Sequence, residues 1–405
     1  MEDSDATGEF SVTYQRADDV DPEAPGTIFI VTWSVDLPTV DEAVIRFGPD
    51  TSYGMAAPVD LTEADFRTLL LGLSPDRTYH FQVVATRGGI EYVSDDYEVE
   101  TGPATNLVTV SEFDVVDESS HEAGFIVAGV GSTAVIIGPE GDIVWWYKST
   151  VSDLLTSVRM AHDGKSMWLV PRLPDAAAME TGPLERVTMD TLESEIYEDT
   201  AVSHDLTPVT GDTMAYIEFG FDGECADSIV EIDDTGTKRS IWEAADYLTD
   251  CHINAVRYSE TAEAYTVSDR SSTVFVVDRS GDVLWRLSDV VANTEYGGIQ
   301  HGNHLLEDSL VVFTNHAEFS NSLIHEYSRS NGELLFEYDG GEFSNTLGTT
   351  QRLPGGNTLA VYSNAGAIHE ADRDGNTVMR LQTDPMGYST WRASLYGPPS
   401  DLTTW

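Results

Sequence analysis

A repeated pattern occupies the chain from about residue 104 onward, and it limits the folds open to this protein more than any other feature. Each copy is an apolar run, a tight turn and a second run with apolar or aromatic residues. The intervals between turns are 50, 45, 45, 51 and 43 residues, and the turns lie near Gly141, Thr191, Gly236, Gly281, Gly332 and Gly375. A four-stranded unit that repeats every 40–50 residues or so is typical of a propeller blade. The pattern therefore predicts an all-β fold with a six-bladed β-propeller over residues 104–405.

The first 103 residues predict a separate, smaller β-domain. Short strand-like runs follow one another at the close spacing of an all-β domain, and they cover residues 27–33, 43–47, 66–71, 79–85 and 97–100. The segment LSPDRTYHFQV, residues 73–83, resembles the fibronectin type III motif, in which Tyr79 forms a corner between strands and Trp33 fills the core. We expect a fibronectin III- or immunoglobulin-like β-sandwich over residues 1–103, acting as a spacer or as a docking module for protein assembly.

The charge of the chain excludes several partners. Its 70 acidic and 21 basic residues give a formal net charge of −49, which repels nucleic acid phosphates and anionic lipids. Such acidity keeps a protein soluble in concentrated salt, where the Debye length is about 3 Å at 1 M, so we expect a halophilic source. No apolar run reaches the length of about 18 residues that predicts a membrane span. The start, MEDSDATGEF, lacks the features of a secretory signal. We expect an extracellular or cell-surface protein or, alternatively, a virion component.

The chain has two cysteines, Cys225 and Cys251. Two cysteines are too few for a disulfide framework or a zinc ribbon. A single disulfide and two free thiols are equally compatible with the sequence.

Three histidines recur at the same point of successive repeats. His204, His252 and His301 lie 48 and 49 residues apart, at the predicted start of three innermost strands, and Gln351 follows 50 residues later. Innermost strands line the channel of a propeller, so we expect the imidazoles to meet at one mouth. Arg270 ends the second strand of the His252 blade and is expected to share the pocket. Imidazoles and a guanidinium suit an anion with several oxygens.

A metal site is the alternative for such a cluster, because imidazole also binds zinc and other transition metals. Asp205 adjoins His204 and could complete a metal site, whereas Arg270 would repel a cation. A propeller hydrolase or lactonase with a bound metal is therefore a second hypothesis.

Several motifs over residues 104–385 resemble the arylsulfate sulfotransferases, which transfer sulfate without a nucleotide donor. They are SHDL at 203–206, DCHIN at 250–254, SDRSS at 268–272, QHGNHLL at 300–306 and QRLPGGNTL at 351–359. Members of that family are six-bladed propellers with a smaller N-terminal β-domain. The resemblance implies that sulfate moves from a small aryl sulfate to a phenol, with no metal and no cofactor.

The resemblance also assigns roles to residues. It implies that His301 takes the sulfate covalently, and that His252, His204 and Arg270 bind sulfate and assist the leaving phenol. Two further residues match substrate contacts, Asn254 and Thr349. A third hypothesis keeps the fold without the chemistry: a non-catalytic propeller adhesin, or a structural or receptor-binding subunit of a halophilic cell surface or virion.

Overall fold

The computed structural model describes residues 8–173, 181–210, 213–220, 225–270, 273–292, 299–315 and 321–397. Within these ranges every regular element is a β-strand, except for four three-residue 3-10 helices at Ala17–Asp19, Ala64–Phe66, Ala244–Asp246 and Leu287–Asp289. The all-β prediction is confirmed for the described residues. None of these helices has the length and apolar character needed to cross a membrane. The chain forms two compact units: the first comprises the residues up to Thr105 with Asp142–Trp146 and Thr188–Glu193, and the second comprises the rest.

The described residues up to Thr105 form eight antiparallel strands in two sheets. The strands are β1 (Phe10–Arg16), β2 (Phe29–Val35), β3 (Glu42–Gly48), β4 (Met55–Pro58), β5 (Thr68–Leu70), β6 (Thr78–Arg87), β7 (Ile90–Val93) and β8 (Tyr97–Glu100). The sheet orders are β1-β2-β5 and β4-β3-β6-β7, and β8 also pairs with β6. Trp33, Ile45 and Phe81 are buried, and the Tyr79 hydroxyl accepts the N–H of Ser74 at 2.9 Å. The fibronectin III-like sandwich stays a prediction.

From Glu112 onward the described strands form five antiparallel sheets. The first eleven strands are β9 (Glu112–Val115), β10 (Phe125–Val130), β11 (Thr133–Ile137), β12 (Ile143–Lys148), β13 (Leu155–Met160), β14 (Ser166–Pro171), β15 (Thr181–Thr188), β16 (Ser194–Pro208), β17 (Met214–Glu218), β18 (Ser228–Ile232) and β19 (Lys238–Glu243). β13 to β19 make one seven-stranded sheet in sequence order. Within it, β16 pairs with β15 and then, through its last residues, with β17.

The remaining strands complete the other sheets. They are β20 (Ile253–Ser259), β21 (Ala264–Asp269), β22 (Val274–Asp278), β23 (Val283–Arg286), β24 (Gln300–Leu305), β25 (Ser309–Thr314), β26 (Leu323–Ser328), β27 (Leu334–Asp339), β28 (Thr349–Arg352), β29 (Thr358–Tyr362), β30 (Ala367–Ala371), β31 (Thr377–Gln382) and β32 (Thr390–Arg392). The sheet orders are β20-β21-β22-β23, β24-β25-β26-β27, β28-β29-β30-β31-β9 and β12-β11-β10-β32.

The six hairpins predicted from the repeat are confirmed as strand pairs: β11–β12, β15–β16, β18–β19, β22–β23, β26–β27 and β30–β31. Their turn chemistry explains why the chain reverses there. In three of them an aspartate accepts the N–H groups of the residues two and four positions later; these are Asp233, Asp278 and Asp372. The glycine three positions after each aspartate has a φ of 81°, 93° or 81°, which an L side chain rarely adopts.

The last strand, β32, pairs with β10 near the start of the second unit. Gln351 fixes this pairing, because its amide accepts the N–H of Trp391 at 2.9 Å and donates to the C=O of Trp391 at 3.1 Å. The sheet β12-β11-β10-β32 therefore takes its edge strand from the far end of the sequence.

A β-bulge recurs near the start of the first strand in four successive four-stranded series. The register shifts between Leu155 and Ser157, Ser203 and Leu206, Ile253 and Ala255, and Gln300 and Asn303. β28, in contrast, keeps a regular register throughout. Bulges turn side chains out of the normal alternation and are common beside active sites. These four bulges position the candidate site.

Candidate active site

The structure brings the three predicted histidines together. His204 lies in the bulge of β16, His301 lies in the bulge of β24, and His252 directly precedes β20. The ring centroid of His204 is 4.9 Å from that of His252 and 6.4 Å from that of His301. Gln351, placed in register with them by its spacing, lies instead in the regular strand β28 and holds Trp391.

Asn315 fixes the tautomer of His301. Both amide hydrogens of Asn315 are used, because its Nδ2 donates to the carbonyls of Ser344 at 2.7 Å and Leu347 at 2.9 Å. Its Oδ1 must therefore face Nδ1 of His301, 2.5 Å away, and accept a hydrogen bond from the N–H at that position. The Nε2 atom of a neutral His301 then carries a lone pair.

The environment keeps two of the imidazoles neutral. Burial lowers the pKa of His301 to about 3, and the charges of His252 and Arg270 act in the same direction, against the Asn315 hydrogen bond. Burial also holds the pKa of His204 well below its usual value, with further lowering by His252, His301, Arg172 and Arg270. A neutral imidazole is the form that can act as a nucleophile.

His204 is held in an unusual backbone conformation. Its φ is 55°, in the left-handed region that non-glycine residues rarely adopt. Its Nδ1 is 2.5 Å from the hydroxyl of Ser203, and the residue is 9% exposed. Backbone outliers of this kind cluster at functional sites.

Hydrogen bonds hold the backbone groups around His252 in place. Its N–H donates to Oδ1 of Asp269 at 2.9 Å, and its C=O accepts the N–H of Arg270 at 2.9 Å. The next N–H, that of Ile253, donates to Oδ2 of Asp227 at 2.9 Å. Burial raises the pKa of Asp227, and the charge of His252 opposes that rise.

The residue before His252 forms a disulfide. Cys251 bonds to Cys225, with the Cα atoms 5.0 Å apart. The structure thereby decides between the two states that the sequence left open. The bond ties the segment before β18 to the segment before β20, directly beside His252.

Two arginines lie close to the imidazoles. Arg270 is exposed, and its charge acts on both His204 and His301. Arg172 was not predicted from the sequence. It lines a cavity of about 70 Å³ together with Thr156, His204, Thr346 and Leu347.

Arg172 and Asn315 could have been predicted from their position in the repeat. Arg270 is the first residue after β21, the second strand of its series. Arg172 stands directly after β14, and Asn315 stands directly after β25. All three occupy the same position of the repeat, and all three contact or influence the histidine cluster.

The two predicted substrate contacts lie beside the cluster. Asn254 is fully buried; its Nδ2 donates to the C=O of Gln300 at 2.8 Å, and its Oδ1 has no hydrogen-bond partner among the described residues. Thr349 packs against Gly302, the residue after His301, so closely that a Cβ on Gly302 would overlap it. Tyr388, which the sequence did not suggest, donates its hydroxyl proton to the C=O of Asn254 at 2.8 Å, and its ring centroid is 6.4 Å from that of His301.

Asp205 does not join the histidines. Its Oδ1 accepts the hydroxyl of Ser157 at 2.6 Å and the guanidinium of Arg159 at 2.8 Å. Across the part of the chain that the structure describes, no group of three or more His, Cys, Asp or Glu side chains is arranged to hold a metal ion.

Comparisons with known proteins give a distant structural similarity. No protein-family model matches the chain, and no curated protein matches it. Virginiamycin B lyase from Staphylococcus aureus matches with a TM-score of 0.43 and 14% identity over 68% of this chain and 88% of that one. The β-propeller domain of Cps50 from Myceliophteria thermophila has a TM-score of 0.42 and 12% identity over 68% and 89%. Hydrazine synthase from Kuenenia stuttgartiensis has a TM-score of 0.42 and 13% identity over 76% and 93%. These similarities to β-propeller proteins assign the chain to no family.

Proposed function

We propose that the protein is a nucleotide-independent aryl sulfotransferase, resembling the arylsulfate sulfotransferases, which moves a sulfuryl group between phenols through His301. The observation that carries the proposal is the Nδ1 contact of His301 with Asn315 at 2.5 Å. It leaves Nε2 as a nucleophile beside two other imidazoles and a guanidinium.

The proposed scaffold is a six-bladed β-propeller. Six successive antiparallel series support it, with the seven-stranded sheet contributing two through β16. The pairing of β32 with β10 would close the ring, since it joins the end of the chain to the first series.

The first proposed half-reaction is attack by Nε2 of His301 on the sulfur of an aryl sulfate. An N–S bond forms, the S–O bond to the ring breaks, and its electron pair leaves on the phenolate oxygen. His301 keeps its Nδ1 proton, so the substituted ring carries a positive charge that Oδ1 of Asn315 stabilises. In the second half-reaction a phenol attacks the sulfur and releases His301, which makes the mechanism ping-pong.

The other residues have roles that follow from their positions. Arg270 and His204 stabilise the charge on the sulfuryl oxygens. His252 donates a proton to the leaving phenolate and takes one from the acceptor, because it is the remaining imidazole of the cluster and its ring lies 4.9 Å from that of His204. Asn254 and Thr349 remain the proposed substrate contacts.

The setting of the protein is also part of the proposal. The charge of −49 fits an extracellular or cell-surface protein of a halophile, or a virion component. The N-terminal unit is proposed as a sandwich that spaces the enzyme from a surface or docks it to an assembly.

The test is sulfuryl transfer from 4-nitrophenyl sulfate to phenol at high salt. We expect the wild type to release about one nitrophenol per chain without phenol and to turn over repeatedly only when phenol is present, and we expect His301→Ala to release none. The control is His325→Ala, which removes another buried histidine of the same sheet. Equal turnover by His301→Ala and the wild type would overturn the proposal. A folded wild type that transfers from no aryl sulfate would favour the non-catalytic adhesin.

A further inference from the structure

Tyr388 connects two strands that belong to different sheets. It lies between β31 and β32, and its N–H donates to the C=O of Thr156 on β13 at 2.8 Å. Its hydroxyl donates to the C=O of Asn254 on β20 at 2.8 Å. β13 begins the seven-stranded sheet and β20 begins the sheet that follows it. One tyrosine therefore bridges the first strands of two sheets.

The backbone of Tyr388 is held on the β13 side of this bridge. Tyr388 pairs with Ser157 in a parallel bridge. The preceding residue, Gly387, packs so closely that a Cβ there would lie 2.5 Å from the carbonyl oxygens of Leu155 and Thr156. Glycine allows two backbones to approach this closely. The hydroxyl of Tyr388 therefore extends from a backbone that pairing and close packing hold in place.

Asn254 extends the connection toward His301. Its C=O accepts the hydroxyl of Tyr388, and its Nδ2 donates to the C=O of Gln300 at 2.8 Å. Gln300 directly precedes His301, and Asn254 stands two residues after His252. The two hydrogen bonds therefore connect the segments that carry two imidazoles of the cluster. A substrate contact through Oδ1 of Asn254 is compatible with them, because they use only its C=O and its Nδ2.

The ring of Tyr388 returns to His301 and completes the set of contacts. Its centroid is 6.4 Å from that of His301, with 47° between the ring planes. Tyr388 is fully buried, and burial holds the pKa of its hydroxyl well above the usual value. The hydroxyl is therefore neutral and able to donate to a carbonyl. A displacement of Tyr388 would act on His301 both directly and through Asn254.

We infer, on the basis of the proposed function, that Tyr388 is a positioning residue whose hydroxyl, through Asn254, sets the separation of His252 and His301. Tyr388 contacts no reacting atom in this role. The two histidines act in the same half-reaction, His301 on the sulfur and His252 on the phenol oxygen. Such a step is fast only when both groups are held in the correct geometry.

The kinetic test is Tyr388→Phe, which removes the hydroxyl and keeps the ring beside His301. With 4-nitrophenyl sulfate and phenol, kcat should fall about 2- to 13-fold with KM little changed, which corresponds to a lost hydrogen bond of about 0.5–1.5 kcal/mol. The matched control is Tyr362→Phe, which removes another buried hydroxyl, 3.2 Å from the N–H of Gly340, and should keep the kcat of the wild type. Unchanged kcat in Tyr388→Phe, or an equal loss in Tyr362→Phe, would overturn the inference.

A double-variant cycle tests whether Tyr388 acts through Asn254. Asn254→Ala breaks the link to Gln300, so the further change Tyr388→Phe should lower kcat little more on that background. A combined loss smaller than the product of the single losses supports the connection. Losses that multiply would show that Tyr388 acts independently of Asn254, and they would overturn the inference.

Nitrogen NMR of the imidazoles separates this inference from the proposed reaction, because it needs no turnover. Tyr388→Phe should shift the resonances of both His252 and His301, whereas Tyr362→Phe should shift neither. These shifts in a protein that transfers from no aryl sulfate would support the connection and refute only the proposed function. Unchanged resonances in Tyr388→Phe would contradict the inference even if the wild type transfers sulfuryl groups. If Tyr388→Phe does not fold, Asn254→Ala takes its place: it breaks the link to Gln300, and an unchanged His301 resonance would be the contradicting result.

Discussion

Replacing Asn315 by leucine tests whether the tautomer of His301 matters. The change removes the acceptor from Nδ1 of His301, and this imidazole can then protonate on Nε2 instead. The lost hydrogen bond has a net worth of about 0.5–1.5 kcal/mol, which alone changes the tautomer ratio about 2- to 13-fold. Loss of the hydrogen-bond partner of a metal-bound histidine typically costs about 10- to 100-fold in metal affinity or activity, and we take this range for His301, which Asn315 orients in the same way. We expect kcat to fall within that range with KM little changed.

The stability cost can be worked from the same contacts. Asn315 is 2% exposed, and its loss leaves the carbonyls of Ser344 and Leu347 without its two donated hydrogen bonds. The carbonyl of Ser344 keeps the hydroxyl of Ser322 as a donor. At about 1–3 kcal/mol for the Leu347 carbonyl and about 0.5–1.5 kcal/mol for the bond lost at Ser344, the free energy of unfolding should fall by about 1.5–4.5 kcal/mol. The control is Ser322→Ala, which removes another donor to the carbonyl of Ser344, at 3.1 Å, without touching His301.

Asn315→Asp separates the tautomer effect from the loss of stability. A carboxylate keeps an acceptor for Nδ1 but donates to neither carbonyl, so the variant should lose stability as Asn315→Leu does. The negative charge favours the protonated imidazole, so the pKa of His301 should rise and activity should fall at acidic pH. The assays are steady-state kinetics, chemical denaturation and nitrogen NMR of the imidazole. Full kcat in folded Asn315→Leu, or a loss no larger than in Ser322→Ala, would refute the reasoning.

Three further predictions concern the support of the site. The pKa of His301 is lowered from 6.5 to about 3 by folding, so the unfolded chain takes up a proton on this imidazole at a higher pH than the folded chain, and the free energy of unfolding decreases as pH falls from 6.5 toward 3. Denaturation between pH 6 and pH 4 should show the wild type losing up to about 1.4 kcal/mol per pH unit relative to His301→Gln. The same pH dependence of stability in both proteins would contradict this. Reduction of the bond between Cys225 and Cys251, 26 residues apart, should lower stability by about 3.5 kcal/mol and reduce kcat through His252, whereas unchanged kinetics of the reduced, folded protein would argue against a positioning role. Gly302→Ala should destabilise the fold by about 1–3 kcal/mol and displace His301, because the added Cβ would overlap Thr349. The double variant Gly302→Ala and Thr349→Ala should recover part of the lost stability. A fully active Gly302→Ala would show that this contact does not position His301.

The sequence predicted the hairpins well because local chemistry determines them. An aspartate that caps a turn and a glycine with positive φ, as at Asp278 and Gly281, act within a few residues. The recurrence of such turns at intervals of 43–51 residues gave the number of repeats without any knowledge of long-range contacts.

The spacing of the histidines predicted their meeting, but it could not predict the bulges. A bulge adds a residue to one strand without changing the sequence period, so His301 and Gln351 share a spacing and differ in orientation. His301 stands in a bulge, whereas Gln351 stands in a regular strand and holds β32.

The residues missed by the sequence were of two kinds. Arg172 and Asn315 follow the second strands of their series as Arg270 does, so a comparison of that repeat position would have found them. Tyr388 follows the last repeat, and no period relates it to the other residues. Its contact with Asn254 depends on the return of the chain to β10, which is a property of the whole fold.

The most direct test of the account is the mass of the protein after reaction with 4-nitrophenyl sulfate in the absence of an acceptor. We predict one sulfuryl group for each chain, placed on His301 by peptide mapping, absent from His301→Ala and present in His325→Ala. Addition of phenol should remove it and yield phenyl sulfate in equal amount. Turnover without any adduct, or an adduct on a residue other than His301, would contradict the proposed mechanism.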